Sequence, residues 1–290
     1  MPPDPAIPTV AGSLSLGSFT DPLLVDPEPS LLSAVVETYR EAAPELVDPD
    51  LSTLRATVEG ESNPAATPPD LPSLTVLASP DAFETVADGF RDASRLAALV
   101  AADALEPLTL PEPQPNAVLA GETAGCVLVS SVGEPGWRRV GDDPTLRSRY
   151  EPVVATAGEH RLRTPSRRRV YGAFRDRFGE AVAADVVRLL EPGPDLSAAD
   201  PVGPRTRAYV VGARHGAHDR TLRRACEDAG LGSPSTFTRV KRRLVDAGLL
   251  ETERVARPVG RPRERVVAVG SLAEPSLETV ADALRESLEE

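Results

Sequence analysis

Residues 231–265, LGSPSTFTRVKRRLVDAGLLETERVARPVGRPRER, constrain the fold more than any other stretch of the chain. Ser233 is a hydroxyl N-cap, and Pro234 takes the first helical position, where its missing N–H costs nothing. Gly248 supplies the left-handed residue that ends the helix. At 100° per residue, Phe237, Val240 and Leu244 fall within about 60° of one another and face a core. The opposite side carries Ser235, Arg239, Arg242 and Asp246, flanked by Thr236, Thr238 and Arg243. Arginine can fork onto guanine O6 and N7, and hydroxyls can reach bases or phosphates, when such a face lies in the major groove of DNA.

A solvated amphipathic helix would show the same face, so its neighbours decide. Two helical patterns precede it. Residues 206–215 turn Ala208, Val210 and Val211 inward, and residues 219–229 turn Leu222, Ala225 and Cys226 inward. Gly230-Leu231-Gly232 then makes a tight turn. After the third helix, residues 249–255 alternate as a strand and residues 264–269 return. Between them lies a short basic tip, RPVGRPR at 257–263, whose Arg261 and Arg263 suit a narrow minor groove. This order predicts a winged helix-turn-helix over 205–270, with a recognition helix at 233–247.

Charge separates this module from the rest. The chain carries −12 overall. Residues 1–150 hold 23 acids against 8 bases, whereas residues 205–269 hold 15 bases against 7 acids. A basic island in an acidic chain calls for an acidic partner. Only Lys241 among the 32 basic residues is lysine, and Ile7 is the only isoleucine. A GC-rich genome explains those scarcities. An acidic, lysine-poor surface also suits a salt-rich cytoplasm, so a halophilic archaeal source is expected.

The N-terminal part alternates strands and helices. Residues 1–20 are Pro-, Ser- and Gly-rich and read as a disordered tail. Strands are predicted at 21–26 and 73–78, helices from about Ser30, from Ser79-Pro80 and over 92–103, and short strands at 117–120, 125–131 and 137–140. These elements predict an α/β domain with hairpins over 21–145. A helical connector over 146–190 follows, with Thr164-Pro165 as a cap, then a Pro/Gly/Asp-rich linker at 191–204. A C-terminal helix over 271–290 carries Leu277, Val280, Ala281, Leu284 and Leu288 on one stripe.

Several function classes find no support. His160, His215 and His218 compose no nucleophile or acid–base set, and His215 and His218 have no third metal ligand near them in sequence. Cys126 and Cys226 lie among apolar neighbours and read as buried thiols. No phosphate-binding glycine loop or nucleophile elbow occurs. The N-terminus lacks the pattern of a secretory signal, and no apolar stretch approaches a membrane span. No catalytic residue, metal or cofactor is therefore expected, and the location expected is the cytoplasm.

The runs SPSTFTRVKRRLVDAGLLETERV and VGRPRERV resemble the haloarchaeal TbsP-like transcriptional regulators, strongly over 205–269 and architecturally before that. The resemblance implies a C-terminal winged helix that binds promoter DNA. It also implies control of central carbon-metabolism genes alongside another regulator, TrmB. By position, Ser235, Thr236, Arg239, Arg242 and Arg243 correspond to the recognition helix, and Arg261 and Arg263 to the wing. The Pro-rich stretches at 1–20 and 60–72 depart from the family's pattern. A homodimer on double-stranded promoter DNA is expected, with the N-terminal domain meeting a metabolite or protein partner. Two other readings stand beside this one: a protein–protein adaptor built on a winged fold, and an enzyme with an α/β domain. The adaptor would need an acidic or apolar third-helix face.

Overall fold

The computed structural model describes residues 4–58, 71–130, 136–191, 202–256, 262–274 and 276–288. The chain forms two compact units, Met1–Leu162 and Arg163–Glu290.

In the first unit, β1 (Ala6–Thr9) and β2 (Gly12–Ser15) form a ribbon. β3 (Leu23–Val25) is followed by α1 (Pro29–Ala42), α2 (Pro44–Val47) and α3 (Leu51–Val58). Then come β4 (Leu74–Ala78), α4 (Pro80–Val86), α5 (Phe90–Ala101) and β5 (Leu105–Thr109). A meander of β6 (Ala117–Ala120), β7 (Gly125–Ser130) and β8 (Trp137–Val140) precedes α6 (Leu146–Val154). The eight strands make one sheet in the order β2-β1-β8-β7-β6-β3-β4-β5. β3, β4 and β5 run parallel, and β3 meets β6 antiparallel.

The two-residue period of a strand sorts the apolar side chains to opposite faces. Leu24, Val76 and Leu105 pack with Leu32, Tyr39, Phe83 and Leu99 in the larger core. Leu23, Val25, Leu77 and Val118 join Leu146 in the smaller one, where Tyr150 and Val153 of α6 also pack. Beyond α6 the chain covers the outer edge of β5: Thr109 N–H donates to Gly158 O, and His160 N–H to Pro107 O, both at 2.8 Å. A free strand edge is thereby occupied.

Three expectations need correction. Residues 1–20 are not a tail where described: Ile7 and Leu16 are fully buried, Phe19 nearly so, and β1 pairs with β8 at Thr9 and Trp137. A short ribbon can join a core through a few alternating apolar residues, even amid prolines. The connector over 146–190 is not one element. α6 packs against the sheet of the first unit, while α7 (Arg167–Phe178) and α8 (Glu180–Leu190) belong to the second, broken from each other at Gly179 with φ +86°. The helix start lies at Ser166 rather than Thr164, since the Ser166 hydroxyl accepts from Arg169 N–H. The predicted linker at 191–204 and the stretch at 60–72 fall largely outside the described residues.

The second unit continues with α9 (Pro204–Arg214), α10 (Asp219–Asp228), α11 (Pro234–Asp246), β9 (Leu250–Val255), β10 (Arg263–Ala268) and α12 (Leu277–Leu288). α8 lies against α9, α7 against α10, and α12 against α8. Buried Arg207 fastens this packing by donating to Leu189 O at 2.8 Å and Val202 O at 3.0 Å. Arg169 and Arg177 of α7 both reach Asp228 at the end of α10. α9 and α10 approach closely at Gly212, where any Cβ would overlap the Leu222 side chain.

Candidate nucleic-acid interface

α11 begins as its sequence dictates. The Ser233 hydroxyl accepts from Thr236 N–H, Pro234 fills the first position, and Gly248 takes φ +69° just beyond the end. Phe237 and Leu244 are completely buried, and Phe237 lies over Tyr209 of α9 with ring centroids 6.1 Å apart. Val240 is half-buried. The other face holds Ser235, Arg239, Arg242 and Asp246, all exposed.

Around α11, one carboxylate, Asp219, holds two of the cations in place. Asp219, first residue of α10, is 2 % exposed. It accepts from the Tyr209 hydroxyl at 2.5 Å and from the Arg223 guanidinium one turn on, and Lys241 Nζ stands 3.7 Å away. Lys241 also donates to Glu264 of β10 at 2.7 Å, and Arg223 to Thr238 at 3.0 Å. Burial and the bond to Asp219 push the Tyr209 phenol far above its ordinary range. Lys241 and Arg223 are thus held inside a network that joins α9, α10, α11 and β10. The side chains of Arg239, Arg242, Arg220, Arg224, Arg254 and Arg263, by contrast, are exposed and make no hydrogen bond or ion pair among the described residues.

The remaining predicted residues divide likewise. Thr236 is half-buried with its hydroxyl 3.1 Å from that of Ser233, and Ser235 lies 2.8 Å from the same oxygen. Arg243 donates to Leu288 O at the end of α12, 2.9 Å away. Arg263 opens β10, exposed; Arg261 lies outside the described residues. Arg220, Arg224 and Arg254 were not singled out from sequence. Arg220 and Arg224 share a shallow depression with Arg263 that only the tertiary fold assembles.

β9 and β10 pair antiparallel from Leu250 with Ala268 to Val255 with Arg263. The hairpin is seated on the helices by Val266 N–H, which donates to Ala217 O at 3.0 Å, and by a backbone bridge between His218 and Arg265. Residues 217–218 therefore act as a third, minimal strand. His218 is the N-cap of α10, while His215 Nε2 lies 3.0 Å from Asp185. In the first unit, a cavity of about 330 Å³ opens where β3 and β4 end, lined by Asp26, Glu28, Asp81, Gln114 and Trp137.

Two helices joined by a glycine turn, the second presenting free arginines, after a separate α/β unit, define a helix-turn-helix regulator. Residues 166–285 match the family model of the TbsP-like transcriptional regulator C-terminal HTH domain, and residues 31–165 that of the TbsP-like N-terminal domain. The chain belongs to the TbsP-like transcriptional regulators. The border between the two matches falls within a few residues of the division between the two units. No curated protein and no solved structure matches the chain. Among the described residues, no helix is long and apolar enough to cross a membrane.

Proposed function

We propose that this chain binds specific double-stranded promoter DNA and regulates metabolic genes, with α11 in the major groove. The β9–β10 hairpin is then the wing of a winged helix, its Arg263 and Arg261 at the minor groove or backbone. Ser235, Arg239 and Arg242 read bases, and Thr236 and Arg243 stand beside them. Arg220 and Arg224, on the first turns of α10, take phosphates. One observation carries this reading: Arg239 and Arg242 are exposed on α11 and their side chains are unpaired among the described residues, while Lys241 of the same helix is held by carboxylates.

The basic face favours DNA over the adaptor role. Two copies on paired half-sites, in the cytoplasm of a halophilic archaeon, complete the proposal. At about 1 M salt the Debye length is near 3 Å, so close base contacts rather than diffuse attraction would carry affinity there. For the first unit, the cavity at the carboxyl ends of β3 and β4 supports a small polar metabolite as its ligand, since parallel meets antiparallel pairing there. Co-regulation with a TrmB-type partner stays within this proposal.

The test is a gel-shift titration on promoter fragments from the source genome. Arg239→Ala and Arg242→Ala are each expected to cost about 1–3 kcal/mol and to relax specificity. Wild-type binding by both variants would overturn the assignment.

A further inference from the structure

The hairpin carries three acids, Glu251 and Glu253 on β9 and Glu264 on β10. On a surface that meets DNA, each carboxylate repels phosphate. Glu264 is set apart by its partner. Its carboxylate accepts from Lys241 Nζ of α11 at 2.7 Å, whereas Glu253 lies 3.9 Å from Arg265 within the hairpin itself. The side chain of Glu251 makes no hydrogen bond or ion pair among the described residues.

Position gives the Lys241–Glu264 pair its meaning. The base of the hairpin is seated by buried Val266 and Ala268 and by the bond from Val266 N–H to Ala217 O. From Arg265 back to Arg263 the returning strand is exposed, and Glu264 extends the seating toward the tip. Neighbouring strand residues face opposite ways, so a Glu264 turned onto α11 turns Arg263 outward. On α11, Lys241 lies about 160° round the helix from Arg239 and takes no part in the reading face. The pair thus joins the residue beside Arg263 to the residue beside Arg242. Its side chains are 42 % and 19 % exposed, for Glu264 and Lys241, and an ion pair so open to water adds little to stability. What it fixes is orientation. Lysine suits the task, since an ammonium with three donors serves Glu264 and Asp219 of two other elements at once.

We infer that Glu264 is a positioning residue for DNA binding: through Lys241 it holds the hairpin at one angle to α11, so that Arg263 and the α11 arginines meet one duplex together. An acid in the hairpin thereby strengthens the binding of a polyanion. Contacts held at a fixed separation bind as a unit, whereas a hinged contact must be ordered anew on binding. The inference rests on the DNA-binding reading above; the tie between hairpin and helix does not.

The test compares the full-length chain with Glu264→Gln, Glu251→Gln, Arg263→Ala and the Glu264→Gln/Arg263→Ala double variant in gel shifts on promoter fragments. Simple repulsion predicts that loss of either carboxylate tightens binding. Positioning predicts opposite outcomes: Glu251→Gln binds as wild type or tighter, whereas Glu264→Gln binds about tenfold more weakly. Arg263→Ala is expected to lose about tenfold as well. The double variant is expected to lose no more than about tenfold in all, because Glu264 acts through Arg263. In the free protein, Glu264→Gln is expected to lower the backbone order parameters of the hairpin's tip half toward the flexible range, below about 0.6, with those of α11 unmoved. Thermal melts of the two are expected to match. Wild-type or tighter binding by Glu264→Gln would overturn the inference, as would equal weakening by Glu251→Gln. A double variant weakened about hundredfold would also overturn it, since independent losses multiply. A Glu264→Gln chain that melts well below the wild type would make the pair a structural support and overturn the positioning role. If the wild-type chain binds no promoter fragment, the DNA reading falls. The tie is then decided by the order parameters, and unchanged values would overturn it.

Discussion

Lys241 and Glu264 meet at 2.7 Å, and through this pair α11 is fastened to the strand that returns from the hairpin tip. Lys241 reaches Asp219 as well, so the single lysine of the chain holds a structural post that Arg239 and Arg242 do not. Asp219→Ala is expected to cost about 3 kcal/mol, the lower end for a broken buried ion pair because Arg223 and Lys241 retain access to water. Tyr209→Phe is expected to cost about 1.5–2 kcal/mol through loss of one bond to a charged acceptor. Far-ultraviolet circular dichroism melts check both. Trp137, the only tryptophan, sits in the first unit, so its fluorescence transition should stay unmoved.

Arg242 and Arg243 are adjacent in sequence and differ in duty. Arg243→Ala removes the donor on Leu288 O and is expected to lower stability by about 1 kcal/mol. Arg242→Ala leaves stability within about 0.5 kcal/mol. Equal melting shifts for the two variants would contradict the assignment.

Gly212 sits where α9 crosses α10. Gly212→Ala drives a methyl into Leu222 and is expected to cost about 1–3 kcal/mol. Leu222→Ala in the same chain opens the space the methyl needs. The double variant is therefore expected to lose less than the sum of the two single losses, and strict additivity in a double-mutant cycle would argue against close approach at this crossing.

The legible parts of this fold were those with local causes. Ser233, Pro234 and Gly248 mark the ends of α11 by chemistry that needs no partner, and the short apolar run at 74–78 marks β4. The β1–β2 ribbon was illegible because its anchor is one isoleucine between prolines, and its neighbour β8 lies far along the chain. Asp219 also hid its role. An acid in the first turn of a helix is already explained by the helix dipole, and nothing local announces that Tyr209 and Lys241 converge on it. Of the candidate DNA contacts, the free state of Arg239 and Arg242 could not be read from spacing, because it depends on which carboxylates the fold brings near.

Deleting residues 1–20 tests the corrected N-terminus. Loss of Ile7, Leu16 and Phe19 from the larger core is expected to lower the tryptophan-fluorescence transition of the first unit markedly. A truncated chain that melts with the full-length protein would restore the tail.

Alkaline stability should fall in two stages. Burial raises the Cys226 thiol above its ordinary 9.0, and burial raises the Tyr39 and Tyr209 phenols above 10.0. Each group stays protonated in the fold after it would ionise in the unfolded chain. Its contribution is therefore whole below the unfolded value and is lost as pH rises above it. Urea denaturation from pH 8 to 11 should show decline beginning near pH 9 and steepening above pH 10, by at most about 1.4 kcal/mol per pH unit per group. Cys226→Ala should shrink the first stage, leaving the part that the Cys126 thiol, also pushed up by burial, supplies; parallel profiles would refute the Cys226 thiol's part in it.

The pairing of Thr9 with Trp137 also sets an order of events. A chain growing from its N-terminus releases β1 and β2 first, yet their place in the sheet does not exist until β8 has been made. β3, β4 and β5 can close through their own crossovers meanwhile, since their contacts are nearer in sequence. β1 and β2, made before the other strands, are thus the last strand pair to join the sheet, and until then Ile7, Leu14 and Leu16 have α1 to pack against but not β8.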